Sequence, residues 1–244
     1  MEAVVLAGGK GTRLRKAVAG LPKGLAPIGE HPFLSYLLGW LRAQGVTEII
    51  LAVGHRRREI IRHYTRHKPQ GMRLRFSVET TPLGTAGALR NLRSMLEGEE
   101  FLVLNGDSIF DVDLRQMLTF HRRHRAQTTL ALACPPEASR YGSVLLDARG
   151  RIKAFVEKHA AILHGANGKP RASRWVSAGV YIMNRAVFRH IPGQREVSLE
   201  KEVFPSLIGG PFYGFPWKGY FIDIGVPEDY QRARVELTER FTSC

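Results

Sequence analysis

The stretch VVLAGGKGTR, residues 4–13, sets the reading of the whole chain. Apolar residues Val4 to Ala7 run directly into Gly8-Gly9-Lys10-Gly11-Thr12-Arg13. A short apolar run that stops at glycines reads as a buried strand entering a tight turn. Two uses of that turn fit the residues. Glycine backbones can aim several N–H groups at one anion, and Lys10, Arg13, Arg15 and Lys16 would add positive charge, which together make a phosphate cradle. A plain turn followed by a solvated basic stretch explains the same letters. The dinucleotide fingerprint is not met, because Leu14 stands where its third glycine belongs, and no Gly-Lys-Ser or Gly-Lys-Thr occurs for a P-loop.

Working outward, strand-like and helix-like segments alternate. After Val4–Ala7, residues 32–45 carry helical apolar spacing with Pro32 at the start and Gly45 as a stop. EIILAV (48–53) reads as a strand, Arg57 to His67 as a basic amphipathic helix, LRFSVE (74–79) as a strand, and residues 84–96 as a helix. FLVLNGD (101–107) is a buried strand ending in polar residues, residues 114–124 a helix, and TTLALA (128–133) a strand. This order predicts an α/β fold: a Rossmann-like, mostly parallel sheet flanked by helices. The second half changes style. Residues 141–158 read as two strands around a turn at Asp147–Gly150, and 175–183 as another strand. Residues 198–208 read as helix, 219–225 as strand and 227–241 as a closing helix. The expectation is a single domain over 1–244, with a nucleotide-binding half to about residue 135 and a smaller mixed β region closing it.

Ligands of open parallel sheets bind beyond the carboxyl ends of the strands. Polar motifs stand at such ends here: GGKGTR after the first strand, ETTPLGTAG after the third (74–79), NGD closing 101–107, and DIG closing the late strand.

Bulk properties narrow the function classes. The chain has 244 residues, 44% of them hydrophobic, ample for one core. No stretch is long and apolar enough to span a membrane, and no signal peptide is visible. The cysteines, Cys134 and Cys244, make neither a disulfide framework nor a metal spacing and fit a reducing cytoplasm. The net charge of +14 raises nucleic-acid binding, but the cations are scattered over 55–59, 121–125 and 169–174 with no accompanying nucleic-acid motif. Small polyanionic substrates suit that charge better. The expectation is therefore no nucleic acid and no membrane insertion, with a homo-oligomer left open.

Taken in order, LAGGKGTRL followed by Pro22-Lys23, then PLGTAGAL (82–89), NGD (105–107), FVEK (155–158) and DIG (223–225) resemble the sugar nucleotidyltransferases, or nucleotide-sugar pyrophosphorylases. The resemblance covers almost the whole chain. Its short length, PLGTAGAL and YFIDIGVPEDY (220–230) are most similar to the bacterial D-glycero-α-D-manno-heptose 1-phosphate guanylyltransferase branch. The chain departs from many relatives in Arg13-Leu14-Arg15-Lys16-Ala17-Val18 and in Gly24 after Lys23, which leaves the shape of the 14–24 loop open.

The resemblance implies the nucleotide-diphospho-sugar transferase fold and a reaction of GTP with a sugar 1-phosphate, in the presence of Mg2+. Another base, another sugar such as mannose, and a non-catalytic regulator on the same fold are the alternatives. Leu6, Ala7, Gly8, Gly9, Gly11, Thr12 and Arg13 would hold the triphosphate. Arg13 would offset charge on the leaving pyrophosphate, and Lys23 would reach between the α-phosphate and the sugar phosphate. Glu79, Pro82, Gly84, Thr85 and Gly106 would line the nucleotide, Glu79 accepting from the guanine edge, which presents two adjacent donors. Asn105, Tyr141, Gly142, Glu157, Lys158 and Gly179 would face the sugar phosphate, and Asp107 and Asp223 would hold the metal. Asp111 and Asp113 read as turn and cap residues instead.

Overall fold

A computed structural model describes residues 1–9, 11, 14, 18, 20–138, 141–156, 174–193 and 195–241. Its centre is a parallel set of four strands. β1 (Ala3–Leu6) lies between β4 (Glu48–Val53) and β6 (Glu100–Asn105), and β5 (Arg73–Val78) extends the set beyond β4. Neighbouring residues of β1, β4 and β6 enter opposite cores: Val5, Ile49, Leu51, Leu102 and Leu104 one, Val4, Ile50, Phe101 and Val103 the other. Burial on both faces is why these strands read as continuous apolar runs.

Helices cover both faces. α1 (Phe33–Ala43) buries Leu34, Leu37, Leu38 and Leu41, one stripe at helical spacing. Its core also receives Ile60 and Tyr64 of α2 (Arg57–Arg66), Leu114 and Met117 of α4 (Leu114–Arg123), and Ala233 and Leu237 of α6 (Pro227–Phe241). α3 (Gly84–Asn91) and α5 (Phe204–Leu207) pack on the opposite face. The helix expected over 84–96 stops at Asn91, with a 3-10 turn at Arg93–Met95. That expected over 198–208 is a π turn at Leu199–Val203 running into α5.

The second-half strands join the same sheet. β11 (Val176–Asn184) pairs antiparallel with β6, and β8 (Thr128–Ala133) pairs antiparallel with β11 rather than extending the parallel set. β9 (Ser143–Leu146), β10 (Ile152–Val156) and β12 (Phe212–Pro216) complete nine strands. Two small pieces shape the ligand side. β2 (Pro27–Ile28) and β3 (His31–Pro32) form one hairpin. β7 (Ser108–Phe110) and β13 (Phe221–Asp223) form an antiparallel ribbon off the main sheet, so the strand expected over 219–225 is shorter and leaves the sheet.

Candidate active site

The carboxyl ends of β1, β4, β5 and β6 open onto a cavity of about 760 Å3, within the usual size of ligand sites. Its floor is the exit of β1. Ala7 continues the ladder by donating to Ala52 O (2.8 Å), and Gly106 N–H donates to Leu6 O (2.9 Å). Leu6, Ala7, Gly8, Gly9, Gly11 and Gly106 all line the cavity. Glycine is needed at both Gly8 and Gly54: a Cβ on Gly54 would stand 2.9 Å from Gly8 O, and one on Gly8 would stand 2.6 Å from Glu79 Oε1. Lys10, Thr12 and Arg13 lie outside the described residues, as do Glu157 and Lys158.

One wall is acidic at its base. Glu79 follows β5, is only 8% exposed, and lines the cavity beside Gly8 and Gly54. Burial raises its pKa above the usual carboxylate range; the Leu83 N–H (3.4 Å to Oε2) opposes that shift, and the charge of Glu196 adds to it. Pro82, Gly84 and Thr85 continue this wall. Gly84 has φ of +71°, and a Cβ there would meet Val197 O at 2.4 Å. The turn is clasped to the chain near residue 197: Val197 N–H donates to Leu83 O (2.8 Å), and Ala86 N–H to Val197 O (2.9 Å).

At the other end three charged groups converge. Lys23 Nζ lies 2.5 Å from Asp107 Oδ2 and 3.8 Å from Asp223 Oδ1. The β7–β13 ribbon brings the aspartates together, setting Asp223 opposite Ser108, while Ile224 N–H donates to Asp107 O (2.9 Å). Burial, then the Asp107 charge, push the Asp223 carboxyl up to about 6, against the pull of Lys23. Two neighbouring carboxylates that repel each other are a fitting donor set for a hard divalent cation, which takes few protein oxygens and completes its shell with phosphate and water. Among the described residues no cluster of three or more metal-ligating side chains exists; Asp107 and Asp223 are the carboxylates that converge on Lys23 at this end of the cavity.

The sugar-side residues are less gathered. Asn105 lines the cavity. Gly179 sits at the β11 bulge with φ of +73°, and Asn105 and Ser108 already fill the space a side chain would take. Tyr141 packs edge-on against Phe221, ring centroids 5.4 Å apart, and neither it nor Gly142 lines the cavity. Asp113 caps α4 by accepting from Gln116 N–H (2.9 Å), and Asp111 accepts from the Trp40 indole (3.3 Å), so both have structural roles.

His55, Arg56, Arg57 and Glu196 also line the cavity. The strand-end rule finds the first three once it is applied to β4, whose end reads GHRRR. Glu196 carries no local signal.

The sequence profile of the nucleotidyl transferase family matches residues 2–240. The chain belongs to that family. Enzymes of the family work with a divalent metal. The transferase is 39% identical over 97% of its length to the D-glycero-alpha-D-manno-heptose 1-phosphate guanylyltransferase of Aneurinibacillus thermoaerophilus, covering 98% of that relative. It is 35% identical over 97% of its length to the mannose-1-phosphate guanylyltransferase of Mycobacterium tuberculosis, covering 64% of that relative. Its fold superimposes on the crystal structure of HddC from Yersinia pseudotuberculosis complexed with GMP-PN with a TM-score of 0.83, at 31% identity and covering 96% of this chain and 98% of that one. The expected α/β architecture is thus the family's. No helix among the described residues is long and apolar enough to cross a membrane.

Proposed function

We propose that the chain transfers GMP from GTP to a sugar 1-phosphate, D-glycero-α-D-manno-heptose 1-phosphate, giving GDP-heptose and pyrophosphate for bacterial surface glycans. The observation that carries the guanylyl reading is the buried Glu79 carboxylate at the base of the cavity. An ionised carboxylate accepts hydrogen bonds and donates none. It suits guanine, whose N1–H and N2 amino group are adjacent donors, and repels the carbonyls that flank the single N–H of uracil and thymine. The heptose reading draws on the 39% identity to a heptose 1-phosphate guanylyltransferase. Mannose 1-phosphate is the second reading, since a mannose-1-phosphate guanylyltransferase is nearly as similar at 35%.

On this reading a phosphate oxygen of the sugar 1-phosphate attacks the α-phosphorus of GTP. One P–O bond forms, the bond to the β-phosphoryl oxygen breaks in line, and pyrophosphate leaves. The nucleophile is already an anion, so no protein base is needed, and the protein positions the reactants and offsets their charge. By the family resemblance, backbone N–H groups at Gly8, Gly9, Gly11 and Thr12 would hold the triphosphate and Arg13 would offset charge on the leaving pyrophosphate. Lys23 bridges the two phosphates. Asp107 and Asp223 would hold Mg2+, which would neutralise phosphate charge when bound. Asn105, which lines the cavity, serves the sugar side; the family resemblance assigns Glu157 and Lys158 to the sugar and its phosphate, while Tyr141 and Gly142 stand back from the cavity. GTP and sugar phosphates are cytoplasmic metabolites, which puts the reaction in the cytoplasm.

The test is a pyrophosphate-release assay crossing GTP, ATP, UTP, dTTP and CTP with heptose, mannose and glucose 1-phosphates. The proposal predicts turnover with GTP and the heptose phosphate well above every other pair. Preference for UTP or dTTP overturns the base; preference for mannose 1-phosphate moves the enzyme to the second reading.

A further inference from the structure

We infer that Arg57 is a positioning residue for base recognition: its guanidinium fixes the peptide that carries Glu79. The inference rests on the reading of Glu79 as the group that accepts from guanine.

Glu79 stands where the sheet runs out. Its N–H makes the last bond of the β4–β5 ladder, to Val53 O (2.8 Å). Its carbonyl lies past the ladder, and Arg57 Nη1 donates to it at 3.0 Å. That bond orients the peptide leading into residues 80–83, and so the Cα from which the carboxylate projects. A carboxylate that must accept two adjacent N–H groups tolerates little rotation, because hydrogen bonds weaken steeply off their axis.

Arg57 is itself held firmly. It opens α2, and its own N–H donates to Gly54 O (3.1 Å). Gly54 packs on Gly8 and lies beside the Glu79 carboxylate. His55 N–H donates to Gly8 O (3.1 Å), so residues 54–57 tie the start of the glycine loop to the end of β5. Between them Arg56 is held in the left-handed region, φ 54° and ψ 30°, with its guanidinium on Glu59 (2.7 Å). A non-glycine residue in that conformation persists only where its surroundings enforce it, and such residues gather at functional sites. Both arginines line the cavity, but Arg56 pairs with Glu59 of α2 while Arg57 turns to the Glu79 carbonyl.

The test compares GTP with inosine triphosphate, which keeps N1–H and lacks the N2 amino group. Arg57→Met, Arg57→Lys and Glu79→Gln are measured beside the wild type, with melting temperatures recorded for each. Arg57→Met is expected to raise the KM for GTP about tenfold, the equivalent of one lost hydrogen bond. It should also narrow the GTP-over-inosine ratio in kcat/KM and leave the KM for the sugar 1-phosphate within about twofold. Arg57→Lys, which restores one donor, should recover most of the ratio. If Glu79→Gln narrows the ratio and Arg57→Met does not, the positioning role is wrong and the base reading stands. If Arg57→Met weakens both nucleotides equally, Arg57 serves the triphosphate or the fold and the inference is overturned. An unchanged ratio in Glu79→Gln removes the base reading itself, and the inference with it.

Discussion

Asp107 meets Lys23 at 2.5 Å and shares its neighbourhood with Asp223. Its side chain is 39% exposed, so it serves the cavity more than the core. We therefore expect Asp107→Asn to fold normally and to lose about 3–4 kcal/mol of transition-state stabilisation, the size of one preorganised electrostatic contact. Steady-state kinetics at saturating Mg2+ together with a thermal melt check this; near-wild-type turnover would remove Asp107 from the metal assignment. Both aspartates were legible in the sequence because NGD and DIG close strands, and strand ends are where such folds bind ligands. Arg57 is reached only by extending that rule to the end of β4, and Glu196 not at all. Arg57 is hidden in the run HRRRE, where charge alone reads as a solvated helix start, and Glu196 reaches the cavity through a turn whose docking on Leu83 is a long-range contact.

At the scale of elements, the PLGTAGAL turn and the segment around Val197 act as one clasp, with Thr85 Oγ1 accepting from Leu199 N–H (2.7 Å). Gly84 is its tightest point. Gly84→Ala puts a side chain in left-handed backbone, which alone costs about 1–2 kcal/mol, and drives its Cβ against Val197 O. We expect urea unfolding to show a loss above that figure and the KM for GTP to rise, since Gly84 lines the cavity. Unchanged stability would mean that the clasp yields without cost. The strands β4 and β8 and helix α6 were read to the residue because their patterns are long and uninterrupted. The place of β8 was not. Alternation of strands and helices predicts parallel neighbours, whereas β11, far along the chain, takes the position beside β6 and pairs antiparallel with both β6 and β8. Pairing over that sequence distance leaves no local mark, and neither does the π turn that breaks the helix expected over 198–208.

For the molecule as a whole, the charge of +14 suits polyanionic substrates, which it would draw in at low ionic strength. Stability depends on pH through His121. The ring is 1% exposed, shares a hydrogen bond with Thr129 (2.8 Å), and leaves Nε2 without a partner. Burial lowers its pKa from 6.5 to about 4. Between those values the unfolded chain binds a proton that the folded chain refuses, so the His121 contribution to stability falls as pH drops from 6.5 to about 4 and is constant below, about 3 kcal/mol in all. Urea melts at pH 7.5 and 4.5 should show this loss in the wild type beyond that of His121→Leu; equal losses would contradict the buried neutral ring. Competition between substrates decides the identity of the product. The enzyme is given equal GTP, ATP, UTP, dTTP and CTP with heptose, mannose and glucose 1-phosphates and Mg2+, and the nucleotide sugars formed early are identified by mass spectrometry. GDP-heptose is expected as the main product; UDP-glucose or dTDP-glucose in its place would rule out guanylyl transfer as the enzyme's reaction.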